Sequence, residues 1–154
     1  MDYDLPNYNL GNLILILSAA SWATAQVLKV VIQLVTKRRL DWRRIWGSGG
    51  MPSSHSAFVC ACAASTGNLY GFSSALFAIA AVVAIVVMYD AANVRKAAGE
   101  QAKILNYMMN HWSEMKPALF SKELKELLGH SPLQVIMGAL LGIAIGLLGT
   151  IFFK

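Results

Sequence analysis

Four apolar segments dominate the sequence, and each is long enough, or nearly long enough, to cross a lipid bilayer. They cover residues 10–35, 53–68, 73–88 and 133–153. A helix of about 20 apolar residues spans the hydrocarbon core and satisfies its own backbone hydrogen bonds there. Charged residues make up 14% of the chain, against roughly 25% in soluble proteins. We therefore predict an all-α polytopic membrane bundle of about four transmembrane helices, forming a single domain over residues 1–154.

Polar segments between the spans predict short amphipathic helices at the membrane interface. Residues 67–71 read as a turn that closes a hairpin of the second and third spans. The third helix continues past Met88 into a polar stretch that begins at Asp90. Residues 103–116, with Ile104, Leu105 and Met108 on their apolar side, predict one interfacial helix, and residues 121–128 predict another.

The positive charge is clustered beside the apolar segments. Five cations lie between the first two spans, at Lys37, Arg38, Arg39, Arg43 and Arg44, and further lysines and arginines lie between the last two. The positive-inside rule places these connectors in the cytoplasm and both termini outside. Bases beside apolar spans favour anionic or phosphorylated lipid in the bilayer as the partner and give no indication of nucleic acid.

The stretch Gly-Gly-Met-Pro-Ser-Ser-His-Ser joins the first basic cluster to the second span, over residues 49–56. Pro52 suits the first turn of a helix, and Ser53, Ser54 and Ser56 bring hydroxyl groups to a helix start that attracts anions. His55 adds a side chain that moves protons near neutral pH. The alternative is an ordinary capped helix with a histidine near the membrane surface.

The sequence does not decide the roles of two features inside the spans. Lys29 lies deep in the first span, where a lysine either snorkels to the surface or faces a protein interior. Gly138, Gly142 and Gly146 recur every four residues in the last span. They form a flat face for close helix contact, and this face is a candidate for homo-oligomer formation.

The predicted topology brings His55, Asp90, Arg95 and His130 to one membrane face, together with the tip of Lys29 and Arg38. Histidines, fixed cations and helix N-termini are the parts that phosphoryl transfer needs. The chain has three histidines, and no ligand-spaced carboxylate pair accompanies them. We therefore expect no metal and no cofactor. His111, the third histidine, lies on the polar connector and is the weakest candidate for a role.

Two motifs resemble those of the type 2 phosphatidic acid phosphatase superfamily, which also contains the vanadium haloperoxidases. MPSSHS resembles its PSGH motif, and GHSPLQVIMGALLG resembles its third motif. The whole chain is similar to a small divergent branch of that superfamily, the DUF212 or YuiD-like membrane proteins. The matching stretches are AQVLK, RRLDW, GGMPSSHSA, YDAANVRKAAGEQA and LKELLGH followed by a proline one residue later.

The resemblance implies a role for each matching residue. His130 corresponds to the nucleophile that forms a phosphohistidine, and His55 to the acid that protonates the leaving group. The implied phosphate ligands are Lys29, Arg38 and Ser54, with Arg95 or Lys125 in place of the third-motif arginine. Gln134 stands where the superfamily has an orienting aspartate, and Asp90 and Glu126 are both candidates for the missing charge.

Other departures concern spacing. Eight residues separate Lys29 from Arg38, where the superfamily has six, and Leu124 occupies the expected position of the third-motif arginine.

The resemblance implies a membrane lipid phosphatase, expected in the bacterial plasma membrane with its active site facing the cytoplasm. Its substrate would be phosphatidate, phosphatidylglycerophosphate or a polyprenyl phosphate. The alternative is a non-catalytic relative that binds lipid phosphate, which the neutral Gln134 favours. A vanadate-dependent oxidase is a third possibility, disfavoured because these helices lie in the membrane.

Overall fold

The structure, a computed structural model, describes residues 9–37, 50–112 and 130–153. These residues form a helical bundle, which confirms the predicted all-α membrane fold. The helices are α1 (Asn9–Lys37), α2 (Ser54–Tyr70), α3 (Ala75–Tyr89), α4 (Arg95–Trp112) and α5 (Pro132–Phe152), with a π-helical segment (Asp90–Val94) joining α3 to α4. Within the described ranges, Asn12–Thr36, Ala75–Met109 and Pro132–Phe152 are long and apolar enough to cross a membrane.

Helix α2 forms the centre of the bundle, and α1, α3 and α5 all pack against it. It has 17 residues, near the lower limit of about 17 for a membrane-spanning helix. Its sequence is rich in alanine and serine, and Ser56, Ala57 and Ala61 are completely buried. Small side chains allow three helices to approach one central helix closely.

The helix directions follow from pairs of neighbouring residues. Ser53 and Ala57 lie beside Gly138 and Gly142 respectively, so α5 runs parallel to α2. Cys60 contacts Met88 at 3.7 Å, and Gly67 lies beside Phe77, so α3 runs antiparallel to α2.

Helix α1 is also antiparallel to α2. The Ser21 hydroxyl donates to the Ala57 carbonyl at 3.1 Å, whereas Lys29 reaches back to Ser54 at the start of α2. The starts of α2 and α5 therefore share one end of the bundle with the ends of α1 and α3. We call it the polar end.

The glycine face of α5 packs against α2 within the same chain. A Cβ atom at Gly138 or Gly142 would collide with the carbonyl oxygen of Ser53 or Ala57, and at Gly146 it would lie 2.7 Å from the Ala61 carbonyl oxygen. All three glycines are buried. The suggestion that this face joins two copies of the chain was therefore wrong, because α2 already covers it.

Two predicted boundaries at α2 differ from the structure. Helix α2 begins at Ser54 with Ser53 as its N-cap, so Pro52 precedes the helix and is not in its first turn. The helix also continues through residues 67–70, which were predicted as a turn, and ends at Gly71. Gly71 has a φ of 90°, a conformation that glycine adopts without steric cost.

The polar stretch after α3 stays helical, as predicted, but passes through the π segment. The predicted interfacial helix begins within α4, which starts earlier, at Arg95. Ile104, Leu105 and Met108 are exposed on α4, available to a membrane interface. The remainder of that prediction, and the helix predicted over residues 121–128, lie outside the described residues.

We predict that Gly142→Ala destabilises the folded protein by about 1–3 kcal/mol, the usual cost of overpacking. The added methyl group would meet the backbone of α2, which cannot move aside as a side chain can. Thermal unfolding in detergent measures the effect. Ala144→Val is the matched control, because Ala144 is exposed on the same helix. Equal melting temperatures for wild type and Gly142→Ala would contradict backbone contact between α2 and α5.

Candidate functional site

Lys29 is a buried cation at the polar end of the bundle. Its side chain is 6% exposed, and its ammonium group donates to Gln26 Oε1 at 2.9 Å and to Ser54 Oγ at 3.0 Å. The aliphatic part of the side chain lies 3.7 Å from the position of a Cβ atom on Gly50. Lys29 therefore faces the protein interior, and the snorkelling alternative is wrong.

The hydrogen bonds of Lys29 explain how a lysine is accommodated in an apolar span. An ammonium group has three N–H donors, and Gln26 and Ser54 take two of them within the described part of the chain. The third donor can serve an anion. Both acceptors are neutral, so the positive charge is hydrogen-bonded without being neutralised by these contacts.

Ser53 ties the start of α2 to the start of α5. Its hydroxyl accepts from the Ser56 backbone N–H at 3.4 Å, which caps α2. Its own backbone N–H donates to the Gln134 carbonyl at 2.9 Å. Because a helix N-terminus carries unsatisfied N–H groups and a partial positive charge, the joined starts favour an anion at this end.

His130 lies two residues before α5 and is 2% exposed. Its Nδ1 atom lies 3.0 Å from Gln134 Oε1, while the same oxygen accepts from the Ser131 backbone N–H at 3.2 Å. The Ser131 hydroxyl accepts in turn from the Gln134 backbone N–H at 3.4 Å. This reciprocal pair is a capping box, so helix capping holds the amide that contacts the His130 ring.

The capping box also determines which ring nitrogen of His130 carries the proton. A backbone N–H can only donate, so the side-chain atom of Gln134 that faces Ser131 is the carbonyl oxygen. This oxygen can only accept, so Nδ1 of His130 is the donor. In the neutral imidazole the lone pair then resides on Nε2.

The π segment holds the backbone of His130 from the other side. The His130 backbone N–H donates to the Ala91 carbonyl at 3.1 Å. Single π-helical turns within α-helices are often found at functional sites. Asp90, the first residue of this segment, is half-buried at the polar end, where the sequence predicted it.

His55 lies in the first turn of α2 and is half-buried. Its ring lines a cavity of about 400 Å³ together with Trp22 on α1 and Val87 on α3. The histidine therefore stands at the polar end, as the topology predicts, on the side of α2 that faces the gap between α1 and α3. Its role as an acid remains a prediction.

Three predicted phosphate ligands cannot be placed. Arg38 and Lys125 lie outside the described residues. The side chain of His111, which was the weakest candidate for a role, also lies outside the description. Arg95 begins α4, and its side chain is likewise outside the description. The structure thus brings Lys29 and Ser54 together, and it brings His130 and Gln134 together.

The sequence analysis did not identify the groups that form hydrogen bonds to these residues. Gln26 precedes Lys29 by three residues, a spacing that places two side chains on one helix face, so this pair carried a detectable signal. The links from Ser53 to Gln134 and from Ala91 to His130 use backbone atoms, which leave no signature in side-chain identity.

Comparison with known proteins identifies the family of the chain. The model of the divergent PAP2 family, DUF212, matches residues 10–145. The chain belongs to the divergent PAP2 family. It is 43% identical to the uncharacterized membrane protein YuiD of Bacillus subtilis (strain 168), over 94% of this chain and 98% of that protein. No solved structure matches.

Membership of the divergent PAP2 family supports a phosphatase-like kind of membrane protein. The match includes Lys29, the start of α2, the π segment and the first turns of α5. All four features lie within the matched residues and meet at the polar end of this structure.

We predict that neutral His130 carries its proton on Nδ1, because Gln134 Oε1 can only accept. Nitrogen-15 NMR of the histidine rings at alkaline pH distinguishes the two tautomers. Gln134→Leu removes the acceptor, so both His130 nitrogen signals should move toward intermediate shifts, while the signals of His55 serve as the internal control. Protonation of Nε2 in the wild-type protein would contradict the assigned hydrogen bond.

Proposed function

We propose that this protein is a membrane lipid phosphatase that hydrolyses a phosphomonoester or diphosphate of a lipid through a phosphohistidine intermediate. One observation carries the proposal. Nδ1 of His130 is engaged by Gln134 at 3.0 Å, which leaves the lone pair on Nε2 at the end of the bundle where a buried lysine and two helix starts favour an anion. Family membership adds support for this kind of activity.

In the proposed first step, Nε2 of His130 attacks the terminal phosphorus atom, a P–N bond forms and the bond from phosphorus to the leaving oxygen breaks. The leaving oxygen is the lipid oxygen of a monoester or the bridging oxygen of a diphosphate. The imidazole becomes positively charged, because Nδ1 keeps its proton. In the second step, water attacks the phosphohistidine and loses a proton to a base, and the P–N bond breaks. Inorganic phosphate leaves and His130 regains its lone pair.

Lys29 and Ser54 would bind the non-bridging phosphate oxygens. The ammonium group retains a donor beyond those given to Gln26 and Ser54, and charge stabilisation by fixed donors is usually the largest contribution to such catalysis. Arg38 and either Arg95 or Lys125 are proposed as further ligands from the sequence alone, although none of them keeps the spacing of the superfamily motifs.

His55 would protonate the leaving oxygen and then accept the proton of the attacking water. Gln134 would orient the His130 ring. Because an amide cannot neutralise the imidazolium, Asp90 is proposed as the nearby charge. Its position in the π segment, next to the residue that binds the His130 backbone, supports this assignment.

A second candidate function is lipid-phosphate binding without catalysis. Gln134 favours it, because its capping-box role explains its presence without any chemistry. The two functions share the anion site and differ only in whether a P–N bond forms.

We predict that His130→Ala abolishes phosphate release from any lipid phosphate that the wild-type protein hydrolyses. His55→Ala should slow release by roughly 10²–10⁴-fold, the usual contribution of a positioned acid or base. Phosphate release by the purified protein against a panel of phosphatidate, phosphatidylglycerophosphate and polyprenyl phosphates measures both effects. Helical content and melting temperature serve as folding controls. Full turnover in His130→Ala would exclude the phosphohistidine, and phosphate binding without turnover on the whole panel would favour the second function.

We also propose that the protein lies in the bacterial plasma membrane with its polar end facing the cytoplasm. The support is that α1 ends there, before the first cation-rich stretch of the sequence, and α5 starts there, after the second. In a variant lacking Cys60 and Cys62, an impermeant thiol reagent applied to intact cells should label Ser73→Cys, in the turn before α3. It should not label Lys103→Cys on α4 until the cells are opened. The reverse pattern would place the active site outside.

A further inference from the structure

Gln26 and Lys29 are buried neighbours on α1, with exposed fractions of 9% and 6%. Residues three apart share a helix face, and a helical side chain leans toward the N-terminus of its helix. Because α1 runs toward the polar end, Gln26 lies deeper in the bundle than Lys29. The hydrogen bond between their side chains, 2.9 Å long, shows that the Lys29 ammonium group is turned toward that deeper side.

The amide of Gln26 restrains the ammonium group from this deeper side. An ammonium group only donates hydrogen bonds, so the atom of Gln26 that contacts Lys29 Nζ is the carbonyl oxygen. A lysine within a membrane span can otherwise extend its flexible stem toward the surface. The hydrogen bond opposes that movement and keeps Nζ at 3.0 Å from the hydroxyl of Ser54, the first residue of α2.

The neutrality of Gln26 matters as much as its position. Ionisable residues inside membrane proteins commonly pair with one another or with carbonyl groups. A glutamate has the same shape as a glutamine and would accept the same hydrogen bond, but its negative charge would offset that of Lys29. With an amide as the partner, the positive charge of Lys29 stays available to a bound anion.

We propose that Gln26 is a positioning residue of the lipid-phosphate site, which fixes the Lys29 ammonium group beside Ser54 and leaves its positive charge for the phosphate. The inference rests on the proposed function for the role of Lys29 as a phosphate ligand. Gln26 itself touches no substrate and acts through Lys29. A charge that is already fixed in place binds an anion more strongly than a charge on a mobile side chain, because no ordering is left to be done on binding.

Two substitutions separate the position of the Lys29 charge from its availability. Gln26→Met removes the acceptor and keeps an unbranched side chain of similar length, so the ammonium group is no longer held beside Ser54. Gln26→Glu keeps the shape and the hydrogen bond but pairs Lys29 with a carboxylate. Gln33→Glu is the matched control, because it makes the same chemical change at a half-buried residue of α1, on the opposite side of Lys29 from Gln26.

The experiment measures binding of phosphatidate, phosphatidylglycerophosphate and undecaprenyl phosphate to the purified full chain in detergent. Each lipid without its terminal phosphate provides the background. Gln26→Glu should weaken phosphate-dependent binding roughly 10–100-fold, the loss expected for one hydrogen bond to a charged group. Gln26→Met should weaken it roughly three- to tenfold, because the charge remains but is displaced. Gln33→Glu should weaken it by less than about fivefold, the effect of a screened charge.

A second comparison tests whether Gln26 acts through Lys29. In a Lys29→Met background there is no ammonium group to position, so Gln26→Met should cause no further loss of phosphate binding. Residues that act through one shared interaction are non-additive in such a double-mutant cycle. A merely structural Gln26 would cause the same additional loss in both backgrounds, together with a lower melting temperature. Gln26→Glu, which keeps the shape of the side chain, carries the test if Gln26→Met does not fold.

Wild-type affinity in folded Gln26→Glu, or an equal loss in Gln33→Glu, would overturn the positioning role, and so would additive losses in the Lys29→Met background. Lipid-phosphate binding that depends on Gln26 without any phosphate release would reject the phosphatase function and support the positioning role. Unchanged phosphate release by Gln26→Glu would reject the positioning role and leave the phosphatase function standing. Absence of lipid-phosphate binding by the wild-type protein would overturn both.

Discussion

The contact between α2 and α5 at the level of their backbones is the constraint on which the rest of the structure depends. Gly138, Gly142 and Gly146 present no side chain to α2, so carbonyl groups of α2 occupy the space that a Cβ atom would need. Helices in a membrane gain no hydrophobic free energy by packing together, so close approach through small residues is their main source of stability. Because the two helices are parallel, this contact also brings their N-termini together.

The polar end is a direct consequence of that parallel pair. Two adjacent helix starts carry partial positive charges of the same sign, an arrangement that a bound anion would stabilise. The buried Lys29 adds a full positive charge beside Ser54. Ionisable groups inside a membrane protein are costly and usually functional. Concentrated positive potential at one end of a membrane bundle is the setting that the proposed lipid-phosphate substrate requires.

The sequence predicts the helices and the end at which the functional residues meet, because apolar length and charge clustering act over whole segments. The resemblance to the superfamily's third motif also implies that Gln134 orients the His130 ring, and the two side chains are in contact. The sequence does not show which helix covers the glycine face, because a row of glycines predicts a close helix–helix contact but does not identify the second helix. The π segment was likewise not predictable, since its role depends on the Ala91 carbonyl that binds the His130 backbone.

Gln134 illustrates how one residue can serve the fold and the proposed chemistry together. A capping box requires a glutamine or glutamate three residues after the cap, and Ser131 and Gln134 fulfil it. An aspartate has a shorter side chain and is not a member of this motif. At this position the amide therefore stabilises the helix start and fixes the ring of His130, at the cost of the negative charge that would stabilise an imidazolium. Any phosphohistidine chemistry must then draw its compensating charge from elsewhere, and the π segment brings Asp90 to the same end of the bundle.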